Sequence, residues 1–262
     1  MVEIHQLAAA VYLAAGIGAL VGVVLPAPGM SRGATWGLAV GALVQALAFA
    51  TLHRVESPPI TSLPVVLASS AWMTVLFALL LTWKVRLPGL AAVVGPLAFL
   101  SVFVASLGWK IGGDPSADEA GTLPHVHVLL ASGGLALLGI AGLAGWVYLR
   151  EHRRLKTKPP VAQRIPLPSL EALDRVNVVT TAVGFALLTL GILTGMAWLK
   201  GTQGTAFTGT PHEIWMMISW AIYAGLVAVR FAGRQGARQA AASALAGFAF
   251  LLFGVVGIGV LS

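Results

Sequence analysis

The chain of 262 residues contains no cysteine. That excludes disulfides, thiolate metal sites and thioether attachment of a cofactor to this chain. Charge is scarce as well: Asp, Glu, Lys and Arg make up 10% of the residues, and hydrophobic types make up 58%. Soluble domains average about 25% and 45–50%. No large polar block interrupts the apolar sequence, so a soluble domain is not expected and residues 1–262 read as a single transmembrane domain. Ionisable residues inside the apolar runs, the usual mark of a transporter's ion path, are almost lacking. No Ser/His/Asp or paired-carboxylate pattern falls at membrane depth. No glycine-rich loop joins a strand to a helix, which removes support for nucleotide binding. The N-terminal Met-Val-Glu-Ile-His-Gln lacks the basic stretch of a cleavable signal peptide, so the first apolar run is expected to be retained as a helix.

What is present is a series of apolar runs at about 7–25, 33–52, 63–83, 87–107, 126–149, 176–199, 212–229 and 240–261. Breakers separate them, among them Ser57-Pro58-Pro59, Gly112-Gly113-Asp114-Pro115 and Pro159-Pro160. In lipid, only helices or closed barrels satisfy the backbone, and runs of this length are helices. The expected fold is therefore an all-α polytopic bundle of about eight transmembrane helices. The fifth run, 22 uncharged residues from Val128 to Leu149, makes about 33 Å of helix, enough to cross a bilayer core. Pro96 inside the fourth run is expected to kink it. Gly18-x3-Gly22, Gly37-x3-Gly41 and Gly191-x3-Gly195 have the spacing that lets helix backbones approach, and are read as packing inside the bundle. Gln45 and Asn177 are read as helix–helix hydrogen-bonding groups.

The charges sort by side. Thirteen of the 16 basic residues fall in the connections after odd-numbered spans, seven of them between Arg150 and Arg175. By the positive-inside rule that side is cytoplasmic, and both termini face outward. The basic loop at about 150–175 then follows from topology and contact with anionic membrane lipid. Nucleic acid is not an expected partner, because interleaved aromatics and a basic folded domain are missing. His152 lies within this basic run and reads as an ordinary loop residue.

The opposite side carries six of the nine acids and five of the six histidines, His5, His53, His125, His127 and His212. Pro124 precedes His125 and His127 at the start of the fifth span, where proline fits a first helical turn. Thr210-Pro211-His212-Glu213 reads as a capping box opening the seventh. His53 ends the second. Three helix ends thus present imidazole at one membrane face. Imidazole there serves as metal or haem ligand, proton relay or plain interfacial residue. Haem iron commonly takes two axial ligands, histidine nitrogen among them. One histidine from the fifth span and one from the seventh could clamp a haem, with Trp109, Trp198 and Trp215 as flat walls and Arg54, Lys110 and Lys200 near the propionates. Tryptophan is also enriched at interfaces as an anchor, so both uses stand open.

The second half carries a family resemblance. Leu149-Arg-Glu-His-Arg-Arg-Leu-Lys156 is followed by Pro168-Ser-Leu-Glu-Ala-Leu-Asp-Arg175, Gly184 to Gly195, Pro211-His-Glu-Ile-Trp215, Ser219-Trp-Ala-Ile-Tyr223 and Gly247-Phe248. In this order the series resembles the cytochrome c assembly family, comprising CcsA, ResC, CcmC and the shorter HemX-like branch. The resemblance is strong over about residues 122–260. Before that it rests on His53, Pro58-Pro59 and Ala71-Trp72, which resemble the HemX-like pattern. It implies haem handling at the outer face of a bacterial cytoplasmic (inner) membrane. His127 matches the family histidine that begins the corresponding helix, with His125 adjacent, and Pro211, Glu213 and Trp215 match the family's Asp-Pro-Lys-Glu-Thr-Trp stretch. Thr210 replaces Asp, His212 replaces Lys, Ala228 stands where larger members have a histidine, and the Trp-rich external motif is missing. These departures point away from full synthetase activity and toward a HemX-like role.

The resulting expectation is noncovalent binding of haem b at the outer face for transfer, storage or sensing, without catalysis by this chain alone. The expected axial ligands are His127 and His212, with His125 and His53 as alternates and Trp215 and Trp109 as further cofactor-binding residues. The alternative is a cofactor-free scaffold or regulatory subunit whose basic loop docks another cytochrome c assembly subunit or a tetrapyrrole-synthesis enzyme.

Overall fold

The computed structural model describes residues 2–25, 27–52, 60–84, 90–108, 122–157, 168–233 and 235–261. They form eight helices: α1 (Val2–Val24), α2 (Pro28–Leu52), α3 (Leu63–Lys84), α4 (Leu90–Gly108), α5 (Thr122–Thr157), α6 (Leu170–Gln203), α7 (Pro211–Phe231) and α8 (Ala237–Leu261). Each is long and apolar enough to cross a membrane, and among the described residues there is no strand. The chain divides into two compact units, 1–121 with 163–168, and 122–162 with 169–262.

In the first unit α1 lies against α2 and α4, and α3 against α4 and α2. Lipid tails are as apolar as leucine, so helices associate in lipid by close packing rather than by escape from water. The contact residues are accordingly small. Ala9, Ala15, Ala19, Ala42, Ala78 and Ala98 are buried around Tyr12, Val75, Val94 and Val102. A side chain at Gly95 would stand 2.7 Å from the Tyr12 carbonyl oxygen. Gly16 faces the ring of Pro96, Gly41 faces the ring of Tyr12, and Gly37 faces Ala15. The Gly37–Gly41 pair therefore serves packing within the unit, and Pro96 sits inside α4 with its ring accommodated by a glycine. One polar relay crosses the interior: Tyr12 donates to Gln45 Oε1 at 2.7 Å, and Gln45 Nε2 donates to the Ala68 carbonyl at 2.9 Å. His5 is fully buried in α1, edge-on to Phe49 at 5.3 Å.

In the second unit α5 packs on α6 and α8, and α7 on α8 and α6. Glycines again set the spacing. Gly134 stands against the Leu188 backbone, Gly191 against Ala131, Gly145 against the Ala241 carbonyl, and Gly142 against Phe248. Asn177 donates to the Ala141 carbonyl at 2.9 Å, the helix–helix role expected of it. At the Arg230 end, that guanidinium grips both carboxylate oxygens of Asp174 at 2.7 Å and donates to the Gln235 carbonyl at 3.1 Å, joining α6, α7 and the turn before α8.

The longest extensions beyond the apolar spans are in α5 and α6. α5 continues through Arg150 to Thr157, and α6 starts at Leu170, six residues before its span. Side-chain pairs one turn apart support the α5 extension: Arg150 over the Trp146 ring at 5.5 Å, Glu151 with Arg154 at 3.8 Å, and His152 on Tyr148. His152 is thus a helical, half-buried residue rather than a loop residue. Ser169 caps α6 by accepting from the Ala172 amide.

Candidate functional site: two histidine-bearing helix starts

The second unit brings together the first turn of α5, the last turns of α6 and the first turn of α7. α5 begins with Thr122-Leu123-Pro124, and His125 and His127 follow as half-buried side chains. His127 Nδ1 lies 2.8 Å from the Gly191 carbonyl of α6. A carbonyl oxygen only accepts, so Nδ1 carries the proton in this contact. In the neutral ring Nε2 then keeps its lone pair. This is the arrangement by which ligating histidines are oriented and made more basic from behind.

Two features of α6 make the contact possible. Gly195 lies one turn from Gly191, and a methyl group there would meet His127 Nδ1 and Cε1 at 2.9 Å. Thr194 Oγ1 also donates to the Gly191 carbonyl at 2.9 Å, so that oxygen serves two donors. The Trp198 ring lies one further turn along, 6.5 Å from the imidazole and 28° from parallel. Lys200 stands exposed in the last turn of α6.

α7 supplies the second imidazole. Thr210 is its N-cap, accepting from the Glu213 amide at 3.3 Å, and Pro211 occupies the first turn, as the capping-box reading predicts. His212 follows, exposed and within electrostatic reach of both His127 and Glu213. Glu213 does more than the capping box asks. Its Oε2 accepts from the Thr208 and Gly209 amides at 2.8 and 2.9 Å, its Oε1 accepts from Thr208 Oγ1 at 2.6 Å, and the Thr210 amide faces the same carboxylate.

The other expected residues separate. Trp215 turns to α8: its ring stacks on Phe250 at 4.4 Å, its N–H donates to the Phe250 carbonyl at 3.3 Å, and Gly254 leaves room for it. His53, Trp109, Arg54 and Lys110 lie outside the described residues. Sequence reasoning missed Gly191, Thr194 and Gly195 as partners of His127, and Thr208 and Gly209 as partners of Glu213. The Gly191-x3-Gly195 spacing was legible, but only the register of α5 against α6 shows that an imidazole fills the space it leaves.

Among the described residues, no three His, Asp or Glu side chains gather as for a bare metal ion. A haem iron asks less, because the porphyrin supplies four ligands and the protein only one or two. A half-buried imidazole with a braced Nδ1, a second imidazole within electrostatic reach and an adjoining indole fit that demand.

The fold and these helix ends define a multi-pass helical membrane protein with a histidine pair presented at one end of a four-helix unit. The cytochrome c assembly protein family matches this chain over residues 7–262, and the chain belongs to that family. Membership gives it a haem-handling role in cytochrome c biogenesis. It is similar to the cytochrome c biogenesis protein CcsA of Prochlorococcus marinus (strain MIT 9215), 25% identical over 223 residues, 76% of this chain and 72% of the relative. CcsA of strain MIT 9303 is 25% identical over 232 residues, 78% and 73% of the two chains. CcsA of Parasynechococcus marenigrum (strain WH8102) is 30% identical over 142 residues, 54% and 47%.

Proposed function

We propose that this protein binds haem b noncovalently at the outward-facing surface of a bacterial cytoplasmic membrane, with His127 and His212 as axial ligands. It transfers, stores or senses the haem and does not catalyse alone. The observation that carries this reading is the His127 Nδ1 to Gly191 carbonyl contact, which leaves the Nε2 lone pair of the neutral ring as the donor to iron. Bound haem would supply an iron centre; the chain's own residues orient the two imidazoles and shield one ring edge with Trp198. Lys200, exposed in the last turn of α6, would be available to a propionate. Without cysteine the attachment has no thioether route. His125 and His53 are the alternates for either place.

Absorbance of protein purified from haem-replete cells tests this. A Soret band is expected in the wild type and should be lost or shifted in His127→Ala and His212→Ala. A band unchanged in both variants rejects the ligand assignment, and no band in the wild type rejects haem binding.

A second reading, docking of a cytochrome-assembly or tetrapyrrole-synthesis partner, draws support from the α5 extension, where Arg150, Arg153, Leu155 and Lys156 are exposed on a continuous helix. Neutralising Arg150, Arg153 and Lys156 should abolish co-purification of such a partner, and unchanged recovery rejects docking.

A further inference from the structure

His127 and His212 are held by different means. The His127 ring is braced directly, through Nδ1 on the Gly191 carbonyl and against the space at Gly195. Among the described residues no hydrogen bond reaches the His212 ring. Its direction therefore depends on how the chain enters α7. That entry is the connection from Gly204, the C-cap of α6, to Thr210, the N-cap of α7. Both Gly204 and Gly209 have φ of 74°, a region that strains other residues, so each marks a sharp turn.

Glu213 closes this connection. An N-cap needs one acceptor for one amide, and Thr210 already supplies it. The Glu213 carboxylate instead accepts three hydrogen bonds from Thr208 and Gly209, all shorter than 3.0 Å. Hydrogen bonds to a charged acceptor are about twice as strong as neutral ones. The positive φ of Gly209 turns the next amide, that of Thr210, toward the same carboxylate as the Gly209 amide, in the manner of an anion-binding nest. Thr205 stiffens the same segment, its hydroxyl donating to the Phe207 carbonyl at 2.8 Å and accepting from the Phe207 amide at 3.3 Å. His212 is the residue between the N1 proline and this carboxylate, so the backbone that aims its side chain is fixed on both sides.

We propose that Glu213 is the positioning residue of the second ligand: by folding residues 204–210 onto the first turn of α7, it aims the His212 imidazole toward the ligand that His127 holds. This rests on the haem reading above. It makes the carboxylate's geometry, rather than its charge, the property that matters. In Glu213→Gln the amide oxygen still accepts from the two backbone amides, and the amide nitrogen donates to the Thr208 hydroxyl, which rotates to accept. Glu213→Ala removes all three bonds.

Wild type, Glu213→Ala, Glu213→Gln and His212→Ala are compared in the full-length protein by two readouts. The first is amide hydrogen exchange over residues 204–213 without haem, with α8 as the control for folding. The second is the spin state and affinity of added haem, read by absorbance and electron paramagnetic resonance. Glu213→Ala should exchange faster in the loop with α8 unchanged. It should also convert low-spin haem toward the five-coordinate signature of His212→Ala and weaken haem binding about 10-fold. Glu213→Gln should keep the low-spin signature and affinity. Low-spin haem at wild-type affinity in Glu213→Ala, with the loop loosened, overturns the proposal. So does equal loss in Glu213→Gln, which would assign the effect to charge. A wild type that takes up no haem removes the haem reading and this proposal with it, whereas the outcomes above remove this proposal alone.

Discussion

The His127 imidazole sits where two glycines on α6 permit it. A methyl group at Gly195 would approach Nδ1 and Cε1 at 2.9 Å, closer than side chains tolerate, and the ring rather than the backbone is free to give way. Moving the ring lengthens its 2.8 Å contact with the Gly191 carbonyl. Gly195→Ala is therefore expected to weaken haem binding about 10-fold and shift the Soret band, as loss of a partner behind a ligand does. The fold should survive, with a cost of roughly 1 kcal/mol that thermal unfolding in detergent would read. Gly201→Ala, with open space around it, serves as the control and should change neither. The candidate ligands themselves were legible in the sequence, because histidine beside Pro124 and Pro211 marks two helix starts. Their partners were not. A backbone carbonyl and the absent side chain of a glycine leave no chemical mark in a sequence, and only helix register assigns them to His127.

The helices were legible from hydropathy, because each apolar run is bounded by breakers and each appears as one element. Their ends were less so. Apolar length reports where lipid begins, whereas a helix ends where its hydrogen bonds and caps end. α5 and α6 accordingly extend into charged sequence at the basic side. There the Asp174–Arg230 pair ties α6 to α7. Both side chains are less than one-third exposed, and the two bonds of 2.7 Å are charge-assisted. Asp174→Ala is expected to cost about 1.5–3 kcal/mol, seen as a lower unfolding temperature, with Asp174→Asn between it and the wild type. Arg230 lies some 27 Å along α7 from His212 at roughly 1.5 Å per residue, so the haem spectrum should not move. A changed spectrum in Asp174→Ala would mean that the two ends of α7 are coupled.

For the chain as a whole, orientation is the property that the charge census addresses and the helices alone do not. The lack of native cysteine makes it directly measurable. Gly201 and Arg153 are both exposed near the C-terminal ends of α6 and α5, and because these two helices pack antiparallel the two positions fall at opposite ends of the pair. With a membrane-impermeant maleimide on intact cells, Gly201→Cys should label at once and Arg153→Cys only after lysis. The reverse pattern would put the histidine pair on the cytoplasmic side and reject the outward-facing site. The two ligand helices also differ in how firmly they are seated. α5 is buried along most of its apolar span, whereas the buried residues of α7 are Ser219 and Tyr223. Were the proposed haem clasped between them, it would be gripped by a fixed jaw and a lighter one, and the bond on the lighter jaw would be the first to open as it leaves.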